Sequence, residues 1–140
     1  MPYARPRNIA RKQYEEVDAD GAPPAWILGT LDLEFPRPAP IDRPDALLVL
    51  HRILRWYESK TWAEIEHAAH CHPARPDELT DEAQDRLVKI ERDDVAELFQ
   101  IAGQADGDES VRIFGVRTGP LFEIVWIDLE HRVWKGGDTS

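Results

Sequence analysis

The stretch Val111-Arg-Ile-Phe-Gly-Val-Arg-Thr-Gly-Pro-Leu-Phe-Glu-Ile-Val-Trp-Ile-Asp-Leu-Glu-His-Arg-Val-Trp134 decides the fold of this 140-residue chain. Apolar residues dominate positions 111–116 and 121–127, and Thr118-Gly119-Pro120 separates the two runs. Alternating and β-branched residues on both sides of a Gly-Pro break read as two antiparallel strands. Their expected bounds are 111–117 and 121–128. A three-residue loop would pair Arg117 with Leu121, Phe114 with Ile124 and Arg112 with Trp126. Asp128 would then lie one diagonal step from Arg112, and Arg117 diagonal to Glu123. Leu121, Val125 and Ile127 are as apolar as Phe122, Ile124 and Trp126, so the second strand should be flanked on both sides.

Upstream, 99–102 reads as a short strand and 103–110 as a turn region. Thr80 to Ile90 has helical spacing at Ala83, Leu87 and Ile90. Thr61-Trp62-Ala63-Glu64 matches a capping box, which opens a short helix with Trp62, Ile65 and Ala69 on its apolar face. From Pro44 or Asp45 a longer helix carries Leu47, Leu50, Leu54 and Tyr57, widened by Val49, Ile53 and Trp56. His51, Arg52 and Arg55 fall on its solvent side. Residues 25–34 read as a strand, 36–44 as an extended proline linker, 72–76 as a loop, and Asp93 or Asp94 as the cap of a single turn through Leu98. Arg132 to Trp134 reads as a last short pairing. The order of strand, helices and meander implies an α+β fold: two or three helices packed on an antiparallel meander sheet of three to five strands. Residues 1–24 read as a flexible arm, 25–136 as one α+β domain and 137–140 as a tail.

Composition narrows the function. The formal net charge is −10, yet residues 1 to 12 hold Arg5, Arg7, Arg11 and Lys12 and no acid, so the remainder carries −14. An acidic body repels bulk nucleic acid. The one cysteine, Cys71, cannot form an internal disulfide, and no leader pattern is evident, so a cytoplasmic setting is expected. No apolar run reaches the ~20 residues that span a bilayer. His67, His70, Cys71 and His72 lie close in sequence and are soft enough to bind zinc. Their spacing fits no standard zinc pattern, so no metal and no cofactor is expected.

The chemistry-bearing groups of the hairpin are Arg112, Arg117, Asp128 and His131. An Arg beside an Asp and a His can hold an anion and move a proton. An ion pair that trims a structural hairpin is the simpler reading.

Arg112, Gly115, Arg117, Gly119, Phe122, Trp126, Asp128, His131 and Val133 resemble the ending of a small family of bacterial proteins without an assigned role. The likeness extends to Thr61–Ile65, His72-Pro73, Arg86-Leu87, Asp93-Asp94 and Glu97–Phe99. Leu129 departs from it, since the family pattern has Pro there. More remotely, helices followed by a meander with arginines on its strands resemble RelE/ParE-type toxins. That likeness implies a metal-independent ribonuclease in which Arg112 and Arg117 hold phosphate, His131 is the acid or base and Asp128 orients it. RNA is a partner only under this alternative. The leading expectation is a protein-interaction or toxin–antitoxin-type module whose acidic surface meets a basic protein.

Overall fold

The computed structural model describes residues 19–136. Its five strands are β1 (Ala25–Ile27), β2 (His72–Ala74), β3 (Leu98–Ala102), β4 (Arg112–Thr118) and β5 (Leu121–Asp128). Its helices are α1 (Asp45–Tyr57), α2 (Trp62–Glu66) and α3 (Asp81–Lys89). The fold is α+β. Strands β3 to β5 form the expected antiparallel meander, β2 adds an antiparallel strand at its edge, and the spatial order is β1-β5-β4-β3-β2. β1 departs from the expectation, because it pairs parallel with β5. β5 is therefore flanked on both edges, and a core packs on each of its faces, so both faces are apolar.

The hairpin loop has two residues, not three. Thr118 pairs with Leu121 and Arg117 with Phe122. Gly119 has φ +58°, the positive value that a two-residue turn of type II′ needs at its first loop position. Further along, Gly115 pairs with Ile124 but Phe114 pairs with Trp126, so Val125 is an extra residue in a β-bulge. A Cβ on Gly115 would lie 2.4 Å from the Glu123 carbonyl oxygen and 2.7 Å from the Phe122 ring. Only glycine fits there. The bulge turns Val125 and Trp126 to the same side of the sheet. Beyond it Arg112 stands directly opposite Asp128.

Each side of the sheet has its own core. On one side α1 and α2 deliver Leu50, Ile53, Leu54, Tyr57, Trp62 and Ile65 onto Phe99, Ile113, Phe122, Ile124 and Ile127. On the other, Ala83 and Leu87 of α3 meet Leu98, Phe114, Val125 and Trp126. α2 opens with the capping box that its sequence implies, with Thr61 accepting from the Glu64 amide and Glu64 from the Thr61 amide. Thr80 caps α3 in the same way by accepting from the Ala83 amide at 3.2 Å.

Several expectations fail at chain segments that lack a strong period. The strand at 25–34 stops at Ile27. The chain then turns and rejoins the sheet where the Asp32 amide donates to the Val125 carbonyl of the bulge at 2.8 Å. The proline segment is no linker: Phe35, Pro36, Ala39 and Pro40 are buried, and Phe35 packs on Trp126 with ring centroids 5.1 Å apart. His72–Ala74 is a strand rather than a loop, because its backbone pairs with Leu98–Gln100. No helical turn forms at 93–98. The expected arm at 1–24 is shorter at its inner end. Residues 19–21 form a 3-10 turn against α2, and the Ala22 carbonyl accepts from the Trp62 amide at 3.0 Å. The rest of that arm, and the tail at 137–140, lie outside the described residues. The last short pairing does form, as a bridge between Leu79 and Trp134.

Candidate functional site

The four hairpin residues singled out from the sequence fall at two ends of the sheet. Arg112 and Arg117 lie five residues apart on β4, about 17 Å along the strand. Arg117 sits at the turn end. Its guanidinium lies over the Trp62 ring at 4.2 Å, pairs with Glu66, and donates to the Gly119 carbonyl at 3.1 Å. Asp20 adds a weaker contact at 3.8 Å. Glu123, its expected partner, instead accepts from Arg92 at 2.7 Å. The shorter loop moved the register that would have joined them, since it sets Glu123 opposite Val116.

Arg112, Asp128 and His131 do share the open end, but two of them are sealed in. Arg112 is 5% exposed and Asp128 1%. Arg112 donates to the Glu109 carbonyl at 2.6 Å and ties the turn before β4 to the strand. Asp128 accepts from the amides of Arg132 and Val133, at 2.8 and 3.0 Å, and thereby builds the turn that follows β5. Burial pushes the Asp128 carboxyl above its ordinary range, and the amides of Arg132, Val133 and Glu130 only partly offset it. His131 is exposed, with φ +60°, and its Nε2 lies 2.6 Å from the Ser110 carbonyl. A carbonyl can only accept, so Nε2 carries the proton. The two arginines and the histidine therefore do not share one open surface.

The histidine-rich segment also disperses. His67 Nδ1 bonds to the Ala63 carbonyl and His72 Nδ1 to the Pro73 carbonyl, each at 2.8 Å. Cys71 is buried against the Tyr57 hydroxyl, 3.2 Å away. Burial pushes its thiol up, away from thiolate character, and the Tyr57 contact only partly offsets this. Among the described residues no three His, Cys, Asp or Glu side chains could hold one metal ion.

A different site lies on α1, where the sequence suggested an ordinary solvated face. The core-facing residues are Ala46, Leu50, Ile53, Leu54 and Tyr57. Leu47 and Trp56, which helical spacing placed in the apolar stripe, are 47% and 38% exposed, and Leu48 is 64% exposed. At 100° per residue Leu48 and Arg55 stand about 180° from the buried stripe, with His51 between them. A groove of about 680 Å³ runs along one flank, walled by Trp26, Leu28, Leu47 and Leu54. A second cavity of about 530 Å³ lies along the other, walled by Trp56, Lys60, Gln104 and Asp106. His51 and Arg55 line both.

The charges of this face are unevenly committed. Arg52 makes a two-pronged pair with Asp108, at 2.8 and 3.2 Å. Glu58 accepts from the Trp26 indole at 3.1 Å. Lys60 sits 4.8 Å above the Trp56 ring. Among the described residues neither Arg55 nor Lys60 makes an ion pair. The signal available in the sequence was the excess of apolar residues on α1. Nine of the thirteen are apolar, more than one buried stripe can use.

No helix among the described residues is long and apolar enough to cross a membrane. No family model matches the chain, and neither the curated proteins nor the solved structures give a match.

Proposed function

We propose that the chain is a protein-interaction module that docks its partner on the outer face of α1. The observation that carries this reading is the exposure of Leu28 and Leu47 in the groove on one flank of α1, of Trp56 in the cavity on the opposite flank, and of Leu48 on the outer side of the helix. Single exposed apolar residues are common on any protein. Several on one helix, lining grooves on both of its flanks, favour a surface that another molecule covers.

The hairpin motif fits this reading as a structural device. Gly115 permits the bulge, Gly119 the turn, Arg117 clamps α2, and Asp128 with His131 folds the chain back. The resemblance to the family carrying that ending is then a resemblance in architecture. A toxin–antitoxin-type pairing is one setting in which such a module serves. A ribonuclease of RelE type needs its phosphate-holding and proton-moving groups around one scissile bond. Arg117, already engaged by Trp62 and Glu66 about 17 Å from Arg112, does not favour it.

The test is co-purification from cells that produce the protein, with the bound protein identified and its stoichiometry measured. The wild-type chain and a Val88→Glu variant on α3 are expected to retain the same stoichiometric partner, and Leu48→Glu to lose it. Retention in all three contradicts the reading.

A further inference from the structure

We infer that the cavity between α1 and residues 104–108 binds a small zwitterion, an α-amino acid with a large apolar side chain. It lies on the opposite flank of α1 from the groove of Leu28 and Leu47, and it does not depend on what covers that groove.

The two walls of the cavity are joined to each other. Arg52 of α1 bonds to Asp108 of the loop through two hydrogen bonds, 2.8 and 3.2 Å long, and the Asp108 side chain is only 6% exposed. The pair fixes the spacing of helix and loop, and its charges cancel. The cavity beside it measures about 530 Å³, within the range of small-molecule sites.

The charges left over are divided between the walls. On the α1 side Arg55 and Lys60 line the cavity, and on the loop side Asp106 does. None of the three makes an ion pair among the described residues. Gln104 adds an acceptor to the loop side. Its Nε2 donates to the Ala69 carbonyl at 2.9 Å, the Tyr57 hydroxyl at 3.2 Å and the Ala102 carbonyl at 3.3 Å. The amide is thereby held in one orientation, with its donors used and Oε1 left to accept. Cations on one wall call for a carboxylate, and a carboxylate with an amide oxygen on the other calls for an ammonium. A ligand with one charge would leave a wall unmatched. A ligand with both ends satisfies the two together.

The remainder of the cavity is apolar. Ile53 and Trp56 line it. The Trp56 ring stands edge-on to Tyr57, with centroids 5.0 Å apart, and keeps 38% of its surface exposed. That surface suits a large apolar side chain. A nucleotide, the other small molecule that stacks on tryptophan, is disfavoured here. Lys60 already sits over the ring at 4.8 Å, and Asp106 and Asp108 repel phosphate.

The experiment titrates the full chain by calorimetry with four probes. Phenylalanine has both ends and an apolar side chain. Phenethylamine keeps only the ammonium, hydrocinnamate keeps only the carboxylate, and glycine has both ends without the side chain. Phenylalanine is expected to bind at least about tenfold more tightly than each of the others. Asp106→Asn is expected to bring phenylalanine down to the affinity of hydrocinnamate, and Arg55→Gln/Lys60→Gln to that of phenethylamine. Trp56→Ala is expected to bring it down to that of glycine. None of these side chains is buried, and a melting curve matching the wild type shows that each fold is intact.

Absence of phenylalanine binding overturns the inference. So does equal binding of either one-ended probe or of glycine, and so does an unchanged phenylalanine affinity in Asp106→Asn. A nucleoside monophosphate that binds more tightly than phenylalanine would assign the cavity to nucleotides and overturn it as well.

Discussion

Helices α1 and α3 flank the same sheet, each with one apolar stripe turned inward, yet their outer faces differ. α3 is tied down by a buried polar knot. Arg86 grips Asp32 with two hydrogen bonds, both 2.8 Å, and the Trp126 indole donates to the same carboxylate at 3.0 Å. Its outside carries Glu82, Asp85 and Lys89, with Val88 alone as a large exposed apolar residue. Residues 76 to 97 hold nine acids against three bases, a balance of −6. α1 is held mainly by apolar packing, with Tyr57 reaching the Ala102 carbonyl. Its outside exposes Leu47, Leu48 and Trp56, and its Arg55 makes no ion pair among the described residues. One helix is finished as a surface and the other is not. The unfinished face is the one proposed above to receive a partner.

The sharpest way to break this contrast is to exchange its consequences. Trp126→Ala should cost about 3–5 kcal/mol, because a fully buried indole is removed and a cavity remains. Trp56→Ala should cost under about 1 kcal/mol, since its side chain is already more than a third exposed. Equilibrium denaturation of the two variants measures this difference. Similar losses would mean that Trp56 is part of the core and the α1 face is ordinary.

Next comes the polar knot. Arg86→Ala leaves the 5%-exposed Asp32 side chain without its cation. The expected loss is about 2–4 kcal/mol, near the lower end for a broken buried pair because Arg86 itself is partly exposed. Arg55→Ala on the other side has no ion pair to lose, and its stability should stay within about 0.5 kcal/mol of wild type. Melting curves of the two variants decide.

A pH series sharpens the picture on the α3 side. Burial raises Asp32, but Arg86, the Glu34 amide and the Trp126 indole outweigh it and hold the carboxyl below the ordinary 3.8. Its stabilisation is therefore present above that value and lost as pH falls through the lower folded value. Asp128 has the opposite sign. Burial raises it, so its contribution is present below 3.8 and lost as pH rises through the higher folded value. Stability measured from pH 2 to 7 should fall less steeply in acid for Asp32→Asn than for wild type. It should fall less on the rise from pH 4 for Asp128→Asn. The slopes are the readout, since both variants also change hydrogen bonding.

The smallest effect is expected at His131. Purified protein mixed with translating ribosomes should leave messenger RNA intact, and His131→Ala should behave in the same way. Cleavage that disappears in the variant would revive the ribonuclease reading.

Much of this architecture was legible in the residues. The α+β class, the bounds of β5, the capping box of α2 and the stripe of α3 all follow from period and caps. Register did not, because the loop at Gly119-Pro120 and the bulge at Val125 each shift pairing, and a bulge leaves no mark in an apolar run. The parallel pairing of β1 was hidden for a related reason: three residues carry too little pattern to fix a direction. The candidate site was only partly legible. Arg112, Asp128 and His131 looked reactive because their types are, whereas what decides is the burial of two and the backbone bonds of all three. On α1 the apolar excess was present in the sequence, but helical spacing spread it into one wide stripe. Only the sheet's position shows that Leu47 and Trp56 fall outside it.

The most direct test places a photo-crosslinking amino acid at position 48 in one protein and at position 88 in another, within cells that make the chain. The two probes report on opposite sides of one sheet. A single identified protein joined to position 48 and absent from position 88, and lost when Leu47→Ser is added, is the predicted result. Equal crosslinking from both positions, or a partner found only at position 88, would contradict the account.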